Sequence, residues 1–210
     1  MRNIVENTSS FGEGRRIGGL AAAVAVAVLV AACGQAPTQT SETAPAQSAV
    51  SVERGRYLVT GAGCNDCHTP LTMGPNGPAP DMSRMLSGHP EAMKLPPPPA
   101  MAPTDPWNWA GAATLTAFAG PWGISYAANL TPDQNTGLGI WTEEMFVDAL
   151  RTGKHMGTSR PILPPMPWMF YKEMTDDDLK SIYAYLQSVP AIANRVPDPV
   201  IAPPPPGAPQ

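Results

Sequence analysis

The sequence has few charged residues and few cysteines, and it has no run of basic side chains. Charged residues make up 14% of its 210 residues, against about 25% in an average globular protein. The formal net charge is -4, so nothing resembles the basic surface that neutralises nucleic-acid phosphates. These absences argue against a nucleic-acid partner. The 3 cysteines are so few that the position of each one needs an explanation.

The apolar run near the N-terminus is shorter than a membrane span. It extends from Ile17 to Ala32 behind Arg15-Arg16, whereas a transmembrane helix needs about 20 apolar residues. A charged start, a short apolar stretch and small residues at its end are typical of a signal peptide. The end of the run, Leu29-Val30-Ala31-Ala32-Cys33-Gly34, resembles the lipobox of bacterial lipoproteins, whose cysteine is lipidated. We expect a signal peptide over residues 1–32 and a lipid anchor at Cys33; an ordinary signal peptide with an incidental Cys33 is the alternative.

Proline is abundant, with 27 residues, and its distribution sets the predicted domain boundaries. Residues 33–50 are rich in Ala, Pro, Gln, Ser and Thr and predict a flexible linker behind the anchor. Residues 51–190 hold the predicted folded domain, and residues 191–210 form a proline-rich tail that we expect to be extended and partly disordered. Within the domain, residues 71–128 are so rich in Pro and Gly that we predict one long loop with short helical turns at most.

Three segments of the domain show helical patterns. The first spans residues 52–62 and ends at glycines, which suit a helix C-terminus. The second follows Thr142, a predicted N-cap, with two glutamates in its first turn and Gly153 past its end. The third follows Thr175 and starts with three aspartates, next to the positive end of the helix dipole. The sequence therefore predicts an all-α fold with long Pro/Gly-rich loops.

The chemistry-bearing motif is Cys64-Asn65-Asp66-Cys67-His68. C-x-x-C-H is the spacing of a c-type haem attachment site, in which both thiols add to one haem and the next histidine binds its iron. A zinc site would need a fourth ligand, for which His89 or His155 is available. A thioredoxin-like dithiol would need a βαβ pattern that the sequence does not show, and a disulfide here would close almost no loop. We therefore predict one covalent haem c bound by Cys64, Cys67 and His68, with zinc as the alternative.

The wider pattern resembles the class I cytochrome c family, in which the motif follows an N-terminal helix and a methionine ligand precedes the C-terminal helix. The residues that carry the resemblance are Glu53-Arg54-Gly55-Arg56-Tyr57-Leu58 before the motif and Ile182-Tyr183-Ala184-Tyr185-Leu186 on the last helix. In the family, a glycine of the first helix packs against an aromatic residue of the last. The resemblance therefore implies a contact between Gly55 and Tyr185, with Tyr183 as the substitute.

A second set of residues resembles the cytochromes that serve exported bacterial dehydrogenases. The matching stretches are Asn129-Leu130-Thr131-Pro132-Asp133, Thr136-Gly137-Leu138-Gly139-Ile140-Trp141, Arg151-Thr152-Gly153 and Leu163-Pro164-Pro165-Met166-Pro167-Trp168. The likeness covers most of residues 51–190. It does not cover residues 71–120, which are longer and more proline-rich than a minimal class I domain has. The role of this insertion is open at the level of sequence.

Met166 is the predicted sixth ligand of the iron, because it lies between prolines immediately before Trp168 and the last helix. Met156 and His155 are the alternatives. The resemblance also places Asn129 near a haem propionate, and Trp122, Trp141 and Trp168 are candidates for the pocket wall. We expect His68 to donate its other ring nitrogen to a backbone carbonyl, for which Pro75, Pro78 and Pro80 are possible sources.

The resemblance implies a one-electron carrier rather than an enzyme, since an iron with both axial ligands in place has no position for substrate. Its expected partners are redox proteins: a periplasmic dehydrogenase, another cytochrome or an oxidase. The lipid at Cys33 would hold it on the periplasmic side of a bacterial membrane, with inner and outer membrane both open. The alternatives are a catalytic haem protein with an open or labile sixth position, and a zinc-stabilised binding module.

Overall fold

The computed structural model describes residues 49–100 and 106–203. The predicted signal peptide, Cys33 and most of the predicted linker lie outside these residues. The described residues form five α-helices and six β-strands, with short 3-10 turns at Met82–Arg84 and His155–Gly157. The helices are α1 (Val52–Gly61), α2 (Cys64–His68), α3 (Glu143–Thr152), α4 (Trp168–Tyr171) and α5 (Asp176–Ser188). The strands are β1 (Leu71–Gly74), β2 (Gly77–Pro80), β3 (Ala110–Gly111), β4 (Ala117–Gly120), β5 (Gly123–Tyr126) and β6 (Val200–Ile201).

The three longer helices begin at side chains that satisfy their first free backbone N–H groups. Thr142 accepts a hydrogen bond from the Met145 N–H, and Thr175 accepts one from the Asp178 N–H. Both predicted N-caps are therefore confirmed. Gly153 follows α3 in the left-handed conformation, with φ of 68°, as expected for a C-terminal glycine. Helix α1 is also capped, by Ser51, which the sequence analysis did not single out.

The core lies between α1, α3 and α5. Its most buried side chains include Val59 from α1 and Leu179 from α5, both with 0% exposure. Helices α1 and α5 cross closely at Gly55, where an added Cβ would lie 2.7 Å from the Tyr185 Cβ. The predicted contact between Gly55 and Tyr185 is therefore confirmed. Ion pairing between Arg54 and Asp178, 2.8 Å apart, joins the same two helices at the surface.

The prediction of an all-α fold is wrong. The described residues contain two antiparallel sheets, one with strand order β1-β2 and one with order β3-β4-β5-β6. Five of the six strands come from the segment that the sequence analysis treated as one long loop. The domain therefore combines a helical core with strands β1 to β5 of residues 71–126, a segment called the inserted β region, which begins with the insertion of residues 71–120.

The physical reason lies in the turns of that segment. Gly74 pairs with Gly77 and Gly120 pairs with Gly123, so Pro75-Asn76 and Pro121-Trp122 form two-residue hairpin turns. Gly77 and Gly123 have φ of 109° and 106°, which side-chain-bearing residues rarely adopt. At these turns, the Pro and Gly residues that predicted irregular structure thus connect short strands. The prolines in β2 are tolerated because a two-stranded ribbon consists of edge strands.

Part of the predicted tail packs on the domain. Strand β6 pairs with β5 through Ile201 opposite Gly123 and Val200 opposite Ile124. Asn194 is only 2% exposed. Residues 204–210 of that tail lie outside the described part of the chain. Among the helices that the structure describes, none has the length and apolar character that crossing a bilayer requires.

Candidate functional site

Helix α2 carries the two motif cysteines within one helical turn. Gly63 precedes the helix with φ of 70°, and Thr69 closes it by donating its hydroxyl to the Asn65 Oδ1 at 2.8 Å. Both thiols are free and half-buried. Burial raises the pKa of the Cys64 thiol to about 11, and it also raises that of Cys67. The structure therefore presents two free, neutral thiols within one turn of a short helix.

His68 is buried, with 7% exposure, and its ring is fixed by one hydrogen bond. Its Nδ1 lies 2.8 Å from the carbonyl oxygen of Ala128. Because a carbonyl can only accept, Nδ1 is the protonated nitrogen and Nε2 carries the lone pair. Burial lowers the pKa of this histidine, which favours the neutral ring. The expected bond to a backbone carbonyl is confirmed, but its acceptor is Ala128 rather than Pro75, Pro78 or Pro80.

Met166 lies in a loop that the inserted β region supports. The Ser125 hydroxyl, from β5, donates to the carbonyl oxygen of Pro164 at 2.6 Å. Met166 is half-buried and packs against the hydrophobic core, as Cys64 does. Its N–H donates to the Leu163 carbonyl at 3.3 Å, which makes the loop a tight turn. The predicted methionine ligand is therefore held in a restrained loop beside the core.

Helix α4 follows this loop and connects it to the motif. Trp168 packs on Gly153, where an added Cβ would lie 2.7 Å from the indole Cδ2. The Tyr171 hydroxyl donates to the Ala62 carbonyl at 2.8 Å, just before α2. Burial raises the pKa of Tyr171 to about 12. The segment after Met166 is thus tied to both α3 and the approach to the attachment helix.

The alternative ligands have other contacts. The His155 ring lies edge-on to Trp141, with centroids 5.0 Å apart. His89 is fully buried, and its Nδ1 is 2.9 Å from the Thr116 hydroxyl. In residues 49–100 and 106–203, no three His, Cys, Asp or Glu side chains group so as to hold a metal ion. Within these described residues, no fourth ligand for a zinc site lies at the motif.

Asn129 has its side chain committed within the protein. Its amide donates to the Ile192 carbonyl at 2.8 Å, and its Oδ1 accepts from the hydroxyl and the N–H of Thr131. It is 3% exposed. Asn129 therefore shapes the segment that follows Ala128 through its own hydrogen bonds. Trp122, another predicted wall residue, donates to the Ser125 hydroxyl at 3.3 Å.

Sequence reasoning missed two groups at the site. The Ala128 carbonyl could not be found from a motif, because a backbone carbonyl is independent of residue type and lies 60 positions from His68. Ser125 could have been found only with the hairpin β4–β5 in hand, since it is the one buried residue of β5 and the other three residues of that strand are half-buried. Both groups come from the inserted region or its exit.

The donor set fits a covalently bound haem. Two thiols on one helical turn match the two vinyl groups of a single porphyrin, and both are in the free form that addition requires. Among the described residues, the one hydrogen bond of the His68 ring is made by Nδ1, and this tautomer leaves the Nε2 lone pair for iron. The thioether of Met166 would supply the soft, neutral ligand that c-type cytochromes pair with histidine.

Comparison with known proteins gives consistent matches. No family model matches the chain. It is 30% identical over 170 residues to the fructose dehydrogenase cytochrome subunit of Gluconobacter japonicus, covering 80% of this chain and 28% of that protein. It is 28% identical over 134 residues to the gluconate 2-dehydrogenase cytochrome c subunit of Pantoea cypripedii, covering 64% and 22%. It is 26% identical over 179 residues to the cytochrome c subunit of the quinone alcohol dehydrogenase of Gluconobacter oxydans, covering 84% and 28%.

The chain spans less than a third of the length of these relatives. The matches cover most of this chain, and the described part contains the C-x-x-C-H motif on α2. The resemblance predicted from the sequence is confirmed. The chain is a homologue of the cytochrome c subunits of bacterial dehydrogenases.

Proposed function

We propose that the chain is an exported electron-transfer protein that carries one haem c. Cys64 and Cys67 bind the haem covalently, and His68 and Met166 ligate its iron. The observation that carries this proposal is the C-x-x-C-H helix α2, with the His68 ring locked by the Ala128 carbonyl at 2.8 Å. When bound, the haem supplies a reversible one-electron couple between Fe(II) and Fe(III).

The protein's own residues keep the ligands in place. The 2.8 Å bond to Ala128 holds the protonated Nδ1 of His68 and orients Nε2. Ser125 anchors the Pro164 carbonyl, two positions before Met166. Ligand groups that are already positioned need little rearrangement when the iron changes oxidation state. This restraint favours electron transfer over ligand exchange.

A carrier role follows from the ligand set. With His68 and Met166 both bound, no position on the iron remains for a substrate. The relatives' names describe cytochrome subunits of dehydrogenases. We infer that this chain accepts electrons from an exported dehydrogenase and passes them to another redox protein. The alternative, a catalytic haem protein, would require Met166 to be absent from the iron or labile.

Membrane attachment is the remaining part of the proposal. Residues 29–34 resemble a lipobox, so we infer that Cys33 is lipidated after removal of residues 1–32. Lipidation at Cys33 would place the domain on the periplasmic side of a bacterial membrane, near membrane-bound partners. Metabolic labelling with a radioactive fatty acid tests the lipidation of Cys33. The Cys33→Ala variant should not be labelled.

The test of the haem proposal uses protein matured in a host that installs c-type haem. We expect a haemochrome spectrum with one haem per chain, and a ferrous protein that does not bind carbon monoxide at neutral pH. A chain with zinc and no haem would refute the proposal. Rapid carbon monoxide binding would instead support the alternative, a catalytic haem protein with an open or labile sixth position. The double variant Cys64→Ala, Cys67→Ala is the control that should lack covalent haem.

A further inference from the structure

One tight turn of the inserted region, Leu86–His89, packs against the backbone of the attachment motif. The Gly88 N–H donates to the His68 carbonyl at 2.8 Å, and the Leu86 N–H donates to the Thr69 hydroxyl at 2.9 Å. Thr69, Leu86, Ser87 and His89 all have 0% exposure. The turn is therefore an interior element, and it holds the two residues at the end of α2.

The same turn contacts the segment that supplies the Ala128 carbonyl. The His89 N–H donates to the Ala127 carbonyl at 2.9 Å, and the Leu130 N–H donates to the Leu86 carbonyl at 2.8 Å. Gly88 has φ of 77°, and an added Cβ would lie 2.6 Å from both the carbonyl carbon and the carbonyl oxygen of Ala128. That oxygen is the acceptor for His68. Gly88 therefore packs directly behind the group that orients the imidazole.

Like α2 and the Ala127–Leu130 segment, the side chain of Asn194 also binds the Leu86–His89 turn. Its amide group donates to the carbonyls of Ser87 at 2.7 Å and His89 at 2.9 Å. Its Oδ1 accepts from Arg84 and from the Glu91 N–H, at 3.0 and 2.9 Å. One buried side chain thus spans the turn and its two flanks. Buried carbonyls without such donors would be costly, so the contacts fix the turn's conformation.

We propose that Asn194 and Gly88 are positioning residues for the axial histidine, acting through the Leu86–His89 turn on the Ala128 carbonyl. This inference rests on the proposed haem function and gives the inserted region a role in it. The turn joins α2 to the Ala127–Leu130 segment, so that donor and acceptor of the His68 hydrogen bond belong to one hydrogen-bonded unit. Asn194 lies 126 positions from His68 in sequence, and none of its hydrogen bonds among the described residues goes to the His68 ring.

The consequence is a change in the electron density of the ligand. A strong hydrogen bond from Nδ1 makes the imidazole a better electron donor, which favours Fe(III) over Fe(II). If the turn loosens, the hydrogen bond from His68 to the Ala128 carbonyl weakens, and the Fe(II) state becomes more stable relative to Fe(III). For Asn194→Ala we expect the equilibrium to shift toward Fe(II) by about threefold, or about 28 mV at 59 mV per tenfold. The haem should stay attached, because Cys64 and Cys67 are untouched.

The experiment measures two quantities on the haem-loaded protein: the reduction potential and the solvent exchange rate of the His68 Nδ1 proton in the ferrous state. Asn194→Ala should raise both. Asn135→Ala is the matched control, since Asn135 is exposed and no hydrogen bond of its side chain is found in the described residues. Val59→Ala removes fully buried volume from the core cluster that also contains Leu86, but it removes no hydrogen bond of the turn, so it controls for lost packing and stability. Both controls should keep the wild-type potential and exchange rate.

The outcomes separate this inference from the proposed function. A wild-type protein without haem overturns the function. Haem in every variant, with an unchanged potential and exchange rate in Asn194→Ala, overturns only the inference. If Asn194→Ala does not fold, exchange in the wild-type protein decides. The Gly88 and Leu86 amide protons should then be protected to the same degree as the His68 Nδ1 proton, and fast exchange at Gly88 would contradict the proposal.

Discussion

Replacing Gly55 with alanine tests the close crossing of α1 and α5. The new Cβ would lie 2.6 Å from the Ser181 carbonyl carbon and 2.7 Å from the Tyr185 Cβ, whereas carbon atoms in contact are about 3.5–4.0 Å apart. The Ser181 carbonyl oxygen would lie closer still, so the helices must separate by more than about 1 Å. That separation strains the bond from the Ser51 N–H to the Ser181 hydroxyl, which is 3.2 Å long.

The magnitude follows from opposing effects. Alanine in place of glycine favours the helix by about 1 kcal/mol. Overpacking costs about 1–3 kcal/mol, and the weakened interhelical hydrogen bond costs about 1 kcal/mol more. We expect a net loss of about 1–3 kcal/mol in the free energy of unfolding for Gly55→Ala. Gly61→Ala is the control on the same helix, because a Cβ there meets no atom within 4 Å.

Urea unfolding followed by far-UV circular dichroism measures both variants against the wild type. Gly61→Ala should be unchanged or more stable by up to about 1 kcal/mol. The difference in midpoint between the two alanine variants then reports the helix contact alone, because both carry the same change in composition. The reasoning is refuted if Gly55→Ala is as stable as the wild type.

Three further changes have defined outcomes. Met166→Ala should keep the haem, permit carbon monoxide binding and lower the reduction potential by about 59 mV or more. Met169→Ala, at a half-exposed position, should keep the haem without carbon monoxide binding or a lower potential. If the spectrum of Met166→Ala equals that of the wild type, Met156 or His155 becomes the candidate ligand. The pKa of Tyr171 is raised to about 12 by burial, so its contribution to stability is present below about pH 10 and is lost as the pH rises to about 12. Tyr171→Phe should flatten this loss in urea titrations, and an unchanged pH profile would count against it. Asp178→Asn removes the partially exposed pair with Arg54 and should cost about 1 kcal/mol or less; a larger loss that persists in high salt would show that the pair contributes more.

The helices could be predicted from sequence because their signals are local. Thr142 and Thr175 cap the helices that they were predicted to cap, since a side-chain oxygen and an N–H three residues later are enough. The contact of Gly55 with α5 followed from the family resemblance. The motif cysteines and His68 lie within five consecutive residues, so their proximity needed no tertiary information.

The inserted region could not be predicted in the same way. Its strands have only two to four residues, and their alternation is too short to separate from a loop. Hairpin pairing between Gly120 and Gly123 becomes visible only when the neighbouring strand is in place. The Ala128 carbonyl and the Asn194 contacts depend on backbone positions brought together over more than 50 residues. Such groups leave no pattern of residue types, and the structure was needed to find them.

Peptide mapping of the mature protein tests the central claim most directly. After proteolysis of protein made in a host that installs c-type haem, one haem should be found on the peptide that contains Cys64, Cys67 and His68. It should be joined by two thioether bonds that survive acid and organic extraction. A haem-free peptide with two unmodified thiols, from a host that matures other c-type cytochromes normally, would contradict the account.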